Sequence, residues 1–145
     1  MRVERPAELR RLRSTVGAFV TAHGAAASTR DEVVLAVQEA VKNGLASCDG
    51  HGEGVVVRLR CDDRGCRVEV RDPGPGFDLA AEERRTLDPT AEHGRGLLLM
   101  RRLMDSLTVR RDGCCEVVMT RQFAPPHSRR GRHGVALTVR PCLLT

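Results

Sequence analysis

The sequence predicts a single domain of the α+β class, and three features of its pattern lead to that class. Two stretches with helical spacing of apolar residues come before residue 48. Two stretches of alternating apolar and polar residues then follow one another directly between residues 55 and 72, as the strands of a hairpin do. A third helical stretch and a second alternating pair occupy residues 94–119. The length of 145 residues fits one compact domain with a real core.

The first helix is predicted from Pro6, because proline is favoured at the first helical position, to about Gly24. Its apolar residues at helical spacing are Leu9, Leu12, Val16, Phe19 and Val20. The second helix is predicted from Thr29, where Thr29 and Glu32 form a capping box, to about Ser47. Its buried stripe is expected to consist of Val34, Val37, Val41 and Leu45.

Two hairpins are predicted to supply the strands. In the first, the alternation of Val55–Cys61 continues beyond a DDRG turn in residues 66–70. Asp72 is the next residue on the inward side, so its carboxylate is expected to face the interior at a strand's end. The second hairpin pairs residues 107–109 with residues 115–119 across an Asp-Gly turn.

A polar loop and a third helix connect the two hairpins. Residues 78–93 are polar and weakly periodic, and Pro89 interrupts them, so this stretch is predicted to be a mobile loop. The sequence Gly94-Arg-Gly96 then begins a helix. Its core-facing residues are expected to be Leu97, Met100, Leu103 and Met104.

Composition and charge exclude several classes of protein. The net charge is +5, and no apolar run is long enough to span a bilayer. The N-terminus is charged where a signal peptide is apolar, so a cytoplasmic location is expected. The six cysteines include no CxxC pair, which favours reduced structural thiols over a zinc site or a lasting disulfide. Trp and Tyr are absent, which argues against nucleic acid as a partner.

The last part of the chain differs in composition from the rest. We expect a folded domain over residues 1–124 and a basic, poorly ordered tail over residues 125–145. Residues 135–139, VALTV, are the one stretch of this tail with strand character. A phosphate-contacting arm is the alternative interpretation of its arginines.

Three short stretches carry the candidate chemistry. In EAVKN, Glu39 and Asn43 are four residues apart, so they share one helix face away from the apolar stripe. In DPGPGF, glycines permit positive φ angles and close approach of a ligand, while an inward Asp72 requires a partner such as a purine amino group. In GRGLLLM, Gly94 and Gly96 stand at a helix start, where unpaired amides attract phosphate.

Known phosphate-binding fingerprints do not describe these stretches. A Walker motif, GxxxxGK[ST], is absent, and the glycine runs lack the sixth-position glycine or alanine of a dinucleotide fingerprint. In order, however, EAVKN, DPGPGF and HGRGLLLM resemble the N, G1 and G2 boxes of the Bergerat-fold superfamily of gyrase, heat-shock chaperone and histidine kinase ATP-binding domains. Within this superfamily, the chain most resembles single-domain anti-sigma-factor serine/threonine kinases over about residues 6–123. The stretches that carry this resemblance are LAVQEAVKN, VRDPGPGFD and HGRGLLLMRRLMDSLTV.

The resemblance implies a two-layer α/β sandwich, with a mixed, mostly antiparallel sheet covered on one face by helices. It implies ATP and Mg²⁺ as cofactors, with Glu39 as general base, Asn43 as the magnesium ligand and Asp72 as the acceptor for the adenine amino group. Ser47 stands where many relatives carry histidine. The remaining residues implied to bind the nucleotide are Gly74, Gly76, Gly94, Arg95, Gly96 and Leu97, beneath a lid made by residues 78–93.

Two functions from different classes follow from these stretches. The first is a kinase that phosphorylates an anti-anti-sigma partner and sequesters a sigma factor when that partner is unavailable. The second is an ATP-dependent module that binds a regulatory protein without transferring phosphate. Relatives dimerise, so a homodimer is among the assemblies that the resemblance implies, whereas membrane and nucleic acid are not expected as partners.

Overall fold

The computed structural model describes residues 1–48, 54–81, 95–123 and 135–137. A short 3-10 helix, Pro6–Glu8, precedes the first α-helix. The helices are α1 (Leu9–Ala22), α2 (Ala27–Ser47) and α3 (Arg95–Leu103). The strands are β1 (Arg2–Val3), β2 (Val55–Cys61), β3 (Gly65–Asp72), β4 (Ser106–Arg111), β5 (Cys115–Gln122) and β6 (Val135–Leu137).

The described strands form one sheet in the order β1-β2-β3-β5-β4, with β6 also paired to β2. Every strand pair within the described residues is antiparallel. Strand β1 lies beside Val55 and Val56, and β6 lies beside Leu59–Cys61, so both occupy the same edge of β2. The α+β class and the predicted order of helices and hairpins are therefore confirmed.

The hydrophobic core lies between the sheet and the helices. Helix α2 contacts β2, β3 and β5, and it packs against both α1 and α3. Alternate residues of the central strands point into this layer and are buried, as the pattern predicted. The most deeply buried side chains from helices and strands include Leu12, Val20, Val33, Val37, Val41, Val68, Val70, Met100 and Met119.

The helix starts differ from the predicted ones. Helix α2 begins at Ala27, where Ala26 accepts the first helical hydrogen bond from the Arg30 amide at 2.8 Å. Thr29 is therefore inside the helix and buried, and the predicted capping box is wrong. Pro6 begins the 3-10 turn, and α1 starts three residues later.

The buried stripe of α2 is also wider than the sequence indicated. Val37 and Val41 are fully buried as predicted, but Val34 and Leu45 are only partly buried at its margin. The centre of the stripe includes Val33, Ala36, Ala40 and Gly44. This small-residue surface lets α2 lie close to the sheet.

Three expectations about chain segments have different outcomes. The predicted lid, from residue 82 onward, and most of the predicted tail lie outside the described residues. The strand character of residues 135–139 is confirmed for Val135–Leu137. Among the described helices, none is long and apolar enough to cross a membrane.

Candidate functional site

One face of α2 carries a row of polar side chains near the start of α3. Glu39, Asn43 and Ser47 follow one another at intervals of four residues and lie on the same side of the helix. Asn43 and Ser47 are exposed, and the Glu39 side chain is 18% exposed. The Ser47 hydroxyl donates to the backbone carbonyl of Asn43 at 3.0 Å. This bond does not involve the Asn43 side chain.

The start of α3 comes very close to this row because residue 96 has no side chain. A Cβ placed on Gly96 would lie 3.2 Å from Oε2 of Glu39, and 3.7 Å from each of the two side-chain heteroatoms of Asn43. A gap thus lies between Gly96 and the side chains of Glu39 and Asn43, and the methyl group of an alanine at position 96 would partly fill it. The gap brings a helix N-terminus, which attracts anions such as phosphate, beside a carboxylate that can accept a proton and an amide whose oxygen can bind a cation.

Lys42 holds the Oε1 atom of the Glu39 carboxylate. Its ammonium group donates a hydrogen bond to Oε1 of Glu39 at 2.8 Å, while Oε2 is the oxygen nearest Gly96. The Glu39 carboxylate is thus held by one oxygen and presents the other toward the gap. A held carboxylate of this kind is suited to accept a proton from a group positioned in the gap.

Asp72 ends β3 on the inward side, as the alternation predicted. It is buried, at 5% exposure, and its Oδ1 accepts the Gly74 amide at 2.8 Å. The Cys115 thiol, directly opposite on β5, also donates to this carboxylate. Burial raises the pKa of Asp72, and the bonds from Gly74 and Cys115 oppose that rise.

Two glycines allow the backbone to pass close to Asp72. A Cβ on Gly74 would lie 2.7 Å from Asp72 Oδ1 and 2.8 Å from the Ser47 Cβ. A Cβ on Gly44 would lie 2.9 Å from a Val55 methyl and 3.4 Å from Asp72 Oδ2. Separations below 3 Å are not tolerated, so α2, the strand end and the following turn touch through positions without side chains.

Gly76 has a different requirement from that of Gly74. Its φ angle of +71° lies in the left-handed region that glycine adopts without steric cost. A Cβ there would also meet the Arg111 side chain at 2.8 Å. In DPGPGF, Gly74 is therefore required for close approach of the chain segments, and Gly76 is required for its backbone conformation.

The structure brings most of the predicted site residues together. Gly74 lies against both Asp72 and Ser47 at one end of the α2 row, and Gly96 lies against Glu39 and Asn43 further along it. Arg95 is exposed at the start of α3, and the Leu97 side chain is buried in the core, so only its backbone is available to a ligand. Gly94 lies outside the described residues. In the described part of the chain, no three His, Cys, Asp or Glu side chains form a cluster for a metal ion.

Sequence reasoning missed three residues of the site. Lys42 is the only lysine of the chain, and its position three residues after Glu39 was a usable signal. Gly44 in the middle of a helix was another, since glycine there disfavours the helix and often marks close packing. The contact of Cys115 with Asp72 depends on the register between β3 and β5, for which the sequence holds no local signal.

Comparison with known proteins links the sequence of this chain to one family. The model of the histidine kinase-like ATPase domain matches residues 3–121. The serine-protein kinase RsbW of Bacillus pumilus is 28% identical over 122 residues, which are 76% of this chain and 75% of that protein. The serine/threonine-protein kinase BtrW of Bordetella bronchiseptica is 32% identical over 106 residues, which are 68% of this chain and 75% of that protein.

Proposed function

The chain belongs to the histidine kinase-like ATPase family, and on that premise we propose that it is a protein serine/threonine kinase. The proposed kinase transfers the γ-phosphoryl group of ATP to a small anti-anti-sigma protein in the cytoplasm. It sequesters a sigma factor when that partner is unavailable. The observation that supports this best is the gap at Gly96, where a carboxylate and an amide of α2 face the start of α3.

We assign base selection to Asp72. Its buried carboxylate is an acceptor, and adenine presents an exocyclic amino donor where guanine presents a carbonyl acceptor. A carboxylate at this depth would therefore favour adenine over guanine. The absence of side chains at Gly74 and Gly76 supports the close approach that a flat base needs beside the backbone.

We assign the phosphate groups to the gap between α2 and the start of α3. Backbone amides at a helix N-terminus attract anions, and the exposed Arg95 adds a positive charge there. The side-chain oxygen of Asn43, on the edge of this gap, is the protein ligand we propose for Mg²⁺, a hard ion that accepts amide oxygens and retains water. When bound, the ion would supply neutralisation of phosphate charge.

We assign proton transfer to Glu39. As the hydroxyl oxygen of the partner forms a bond to the γ-phosphorus, the bond to the β-phosphate oxygen breaks and ADP leaves. The hydroxyl proton passes to Oε2 of Glu39, the oxygen nearest Gly96, while Lys42 holds Oε1. A positioned general base contributes about 10²–10⁴-fold to such a step.

Phosphate transfer from labelled ATP to candidate anti-anti-sigma proteins tests this proposal. We expect Glu39→Ala to reduce transfer by about 10²–10⁴-fold while leaving ATP affinity nearly unchanged. The matched control is Asp31→Ala, which removes an exposed carboxylate from the same helix and should leave transfer intact. Binding of ATP and partner without transfer by the parent protein would contradict the kinase and favour the ATP-dependent binding module.

A further inference from the structure

A pair of cysteines lies far from the site described above, at the turn between β2 and β3. Cys61 and Cys66 are directly opposite each other in the antiparallel register, and both are free thiols with less than one tenth of their surface exposed. The two thiols are hydrogen-bonded to each other. Neither has a part in the proposed phosphate transfer.

The backbone geometry at this pair suits a disulfide. The Asp62 amide donates to the Gly65 carbonyl at 3.0 Å, so residues 62 and 65 form the hydrogen-bonded pair. Cys61 and Cys66 are consequently a non-hydrogen-bonded pair, whose Cα atoms lie about 4.5 Å apart. Disulfides join Cα atoms about 4.4–6.8 Å apart, so the bond would need little movement of the backbone.

An open cleft of about 480 Å³ includes both cysteines in its lining and is rich in arginine. Arg67 is paired with Glu69, and Arg121 with Glu32 and Asp105. Within the described residues, Arg60 and Arg64 have no ion-pair partner and are exposed. In the described part of this lining Asp62 is the one acidic residue, so the cleft presents a net positive charge to an approaching small anion.

The surroundings also distinguish the two thiols. The hydrogen bond from Cys61 lowers the pKa of Cys66, and the backbone amide and positive charge of Arg121 lower it further, although burial opposes them. The same hydrogen bond, with burial, raises the pKa of Cys61. Cys66 is also directly opposite Arg121 in the register of β3 and β5, whereas Asp62 follows Cys61 in the chain. Cys66 is therefore the better nucleophile, since the thiolate is the reactive form.

We propose that Cys61 and Cys66 are a reversible thiol–disulfide exchange site for small, carboxylate-bearing disulfides of the glutathione disulfide type. The Cys66 thiolate attacks one sulfur of the small disulfide, forms a mixed disulfide and releases one thiolate, which takes up a proton. The Cys61 thiol then loses its proton and attacks Cys66, forming the intramolecular bond and releasing the second small thiol. One disulfide and two protein thiols thus become one protein disulfide and two small thiols.

This site lies at the opposite end of β3 from Asp72. Cys66 and Asp72 are six positions apart in β3, which corresponds to about 20 Å along a strand. Exchange at the hairpin is therefore expected to leave ATP binding unchanged. The two sites can be tested independently on the same protein.

Tryptic mapping after incubation with glutathione disulfide provides the test. Trypsin cleaves after Arg60, Arg64 and Arg67, so the cysteines fall on separate peptides, CDDR and GCR. We expect folded protein to yield these two peptides joined by a disulfide, and dithiothreitol to separate them. Modification of the half-buried Cys48 and Cys114 without any joined CDDR–GCR pair would overturn the proposal.

Three variants test the order of attack and the role of charge. Cys61→Ser should trap glutathione on the GCR peptide, whereas Cys66→Ser should leave CDDR unmodified; the reverse pattern would overturn the assigned nucleophile. Arg64→Gln, at an exposed turn, should slow exchange with glutathione disulfide by about tenfold but not exchange with the cationic disulfide cystamine. Because this change removes a tryptic site, exchange is followed by the loss of alkylation on the single peptide that then carries both cysteines. Equal slowing with both reagents would overturn the role of the arginine cleft.

Discussion

Ser47 and Gly74 are so close that a Cβ on Gly74 would lie 2.8 Å from the Cβ of Ser47. The last turn of α2 therefore rests directly on the turn that follows β3. This contact joins the row of Glu39 and Asn43 to the buried Asp72. The relative position of the two parts of the site consequently depends on a residue without a side chain.

Gly74→Ala should damage both the packing and the site. The added methyl group would meet Asp72 Oδ1 at 2.7 Å as well as Ser47, so we expect destabilisation of about 1–3 kcal/mol and loss of measurable ATP binding. Urea unfolding and titration calorimetry measure the two effects. Gly24→Ala is the control for destabilisation without a steric clash. A φ of +98° strains alanine at that position, but no atom lies within 4 Å of the added Cβ. If Gly74→Ala bound ATP as the parent does, the close approach at this turn would be irrelevant to the ligand.

Lys42→Met should slow phosphate transfer without weakening ATP binding. The change keeps a long side chain but removes the donor that holds Oε1 of Glu39, so the carboxylate loses its fixed orientation. We expect a fall in kcat of about threefold to tenfold, since the pair is partly exposed and its ion-pair energy is small. Lys42→Arg retains a cation and should keep most of the rate. A normal rate in Lys42→Met would show that Glu39 needs no support from this residue.

Cys115 should matter as a hydrogen-bond donor. Burial raises the pKa of its thiol to about 12, with Asp72 as the next cause, so it remains protonated at pH 8. Cys115→Ser keeps a donor to Asp72, whereas Cys115→Val removes it. We expect the valine variant to lose about 1 kcal/mol of ATP binding free energy and the serine variant much less. Calorimetry on both variants decides this, and equal affinities would exclude a role for the donor.

Asp72 should reduce stability at neutral pH. Burial raises the pKa of Asp72 in the folded protein, so folding favours its neutral form. The free energy of unfolding therefore falls as pH rises through the pKa of Asp72 in the folded protein. We therefore expect Asp72→Asn to have a higher free energy of unfolding than the parent at pH 8. The difference should shrink as pH falls toward the pKa of Asp72. Urea unfolding across this range, with the exposed Asp31→Asn as control, would contradict the prediction if the difference stayed constant.

Much of this arrangement was predictable from local sequence patterns. Strand alternation was enough to turn Asp72 inward, and helical spacing was enough to put Glu39 and Asn43 on one face. The comparisons confirm the resemblance of the chain to the ATPase superfamily and its anti-sigma-factor kinases. These features depend only on residues close together in the chain.

Features that depend on distant residues were not predictable in this way. The start of α2 is set by its packing after α1, which buries Thr29 and overrides a capping pattern. The bond between Cys115 and Asp72 follows from the register of two strands separated by more than forty residues. The contact of Gly96 with Glu39 depends on how α3 packs against α2. Each is a tertiary relationship without a local signal.

The most direct test of the central claim is titration calorimetry of ATP and Mg²⁺ with the parent, Asp72→Asn and Glu39→Ala. We expect the parent and Glu39→Ala to bind with similar affinity, because Glu39 faces the gap and not the base. Asp72→Asn should show no measurable binding, because an amide replaces the buried acceptor for the adenine amino group. Binding of ATP by Asp72→Asn with the affinity of the parent would contradict the assignment of this site.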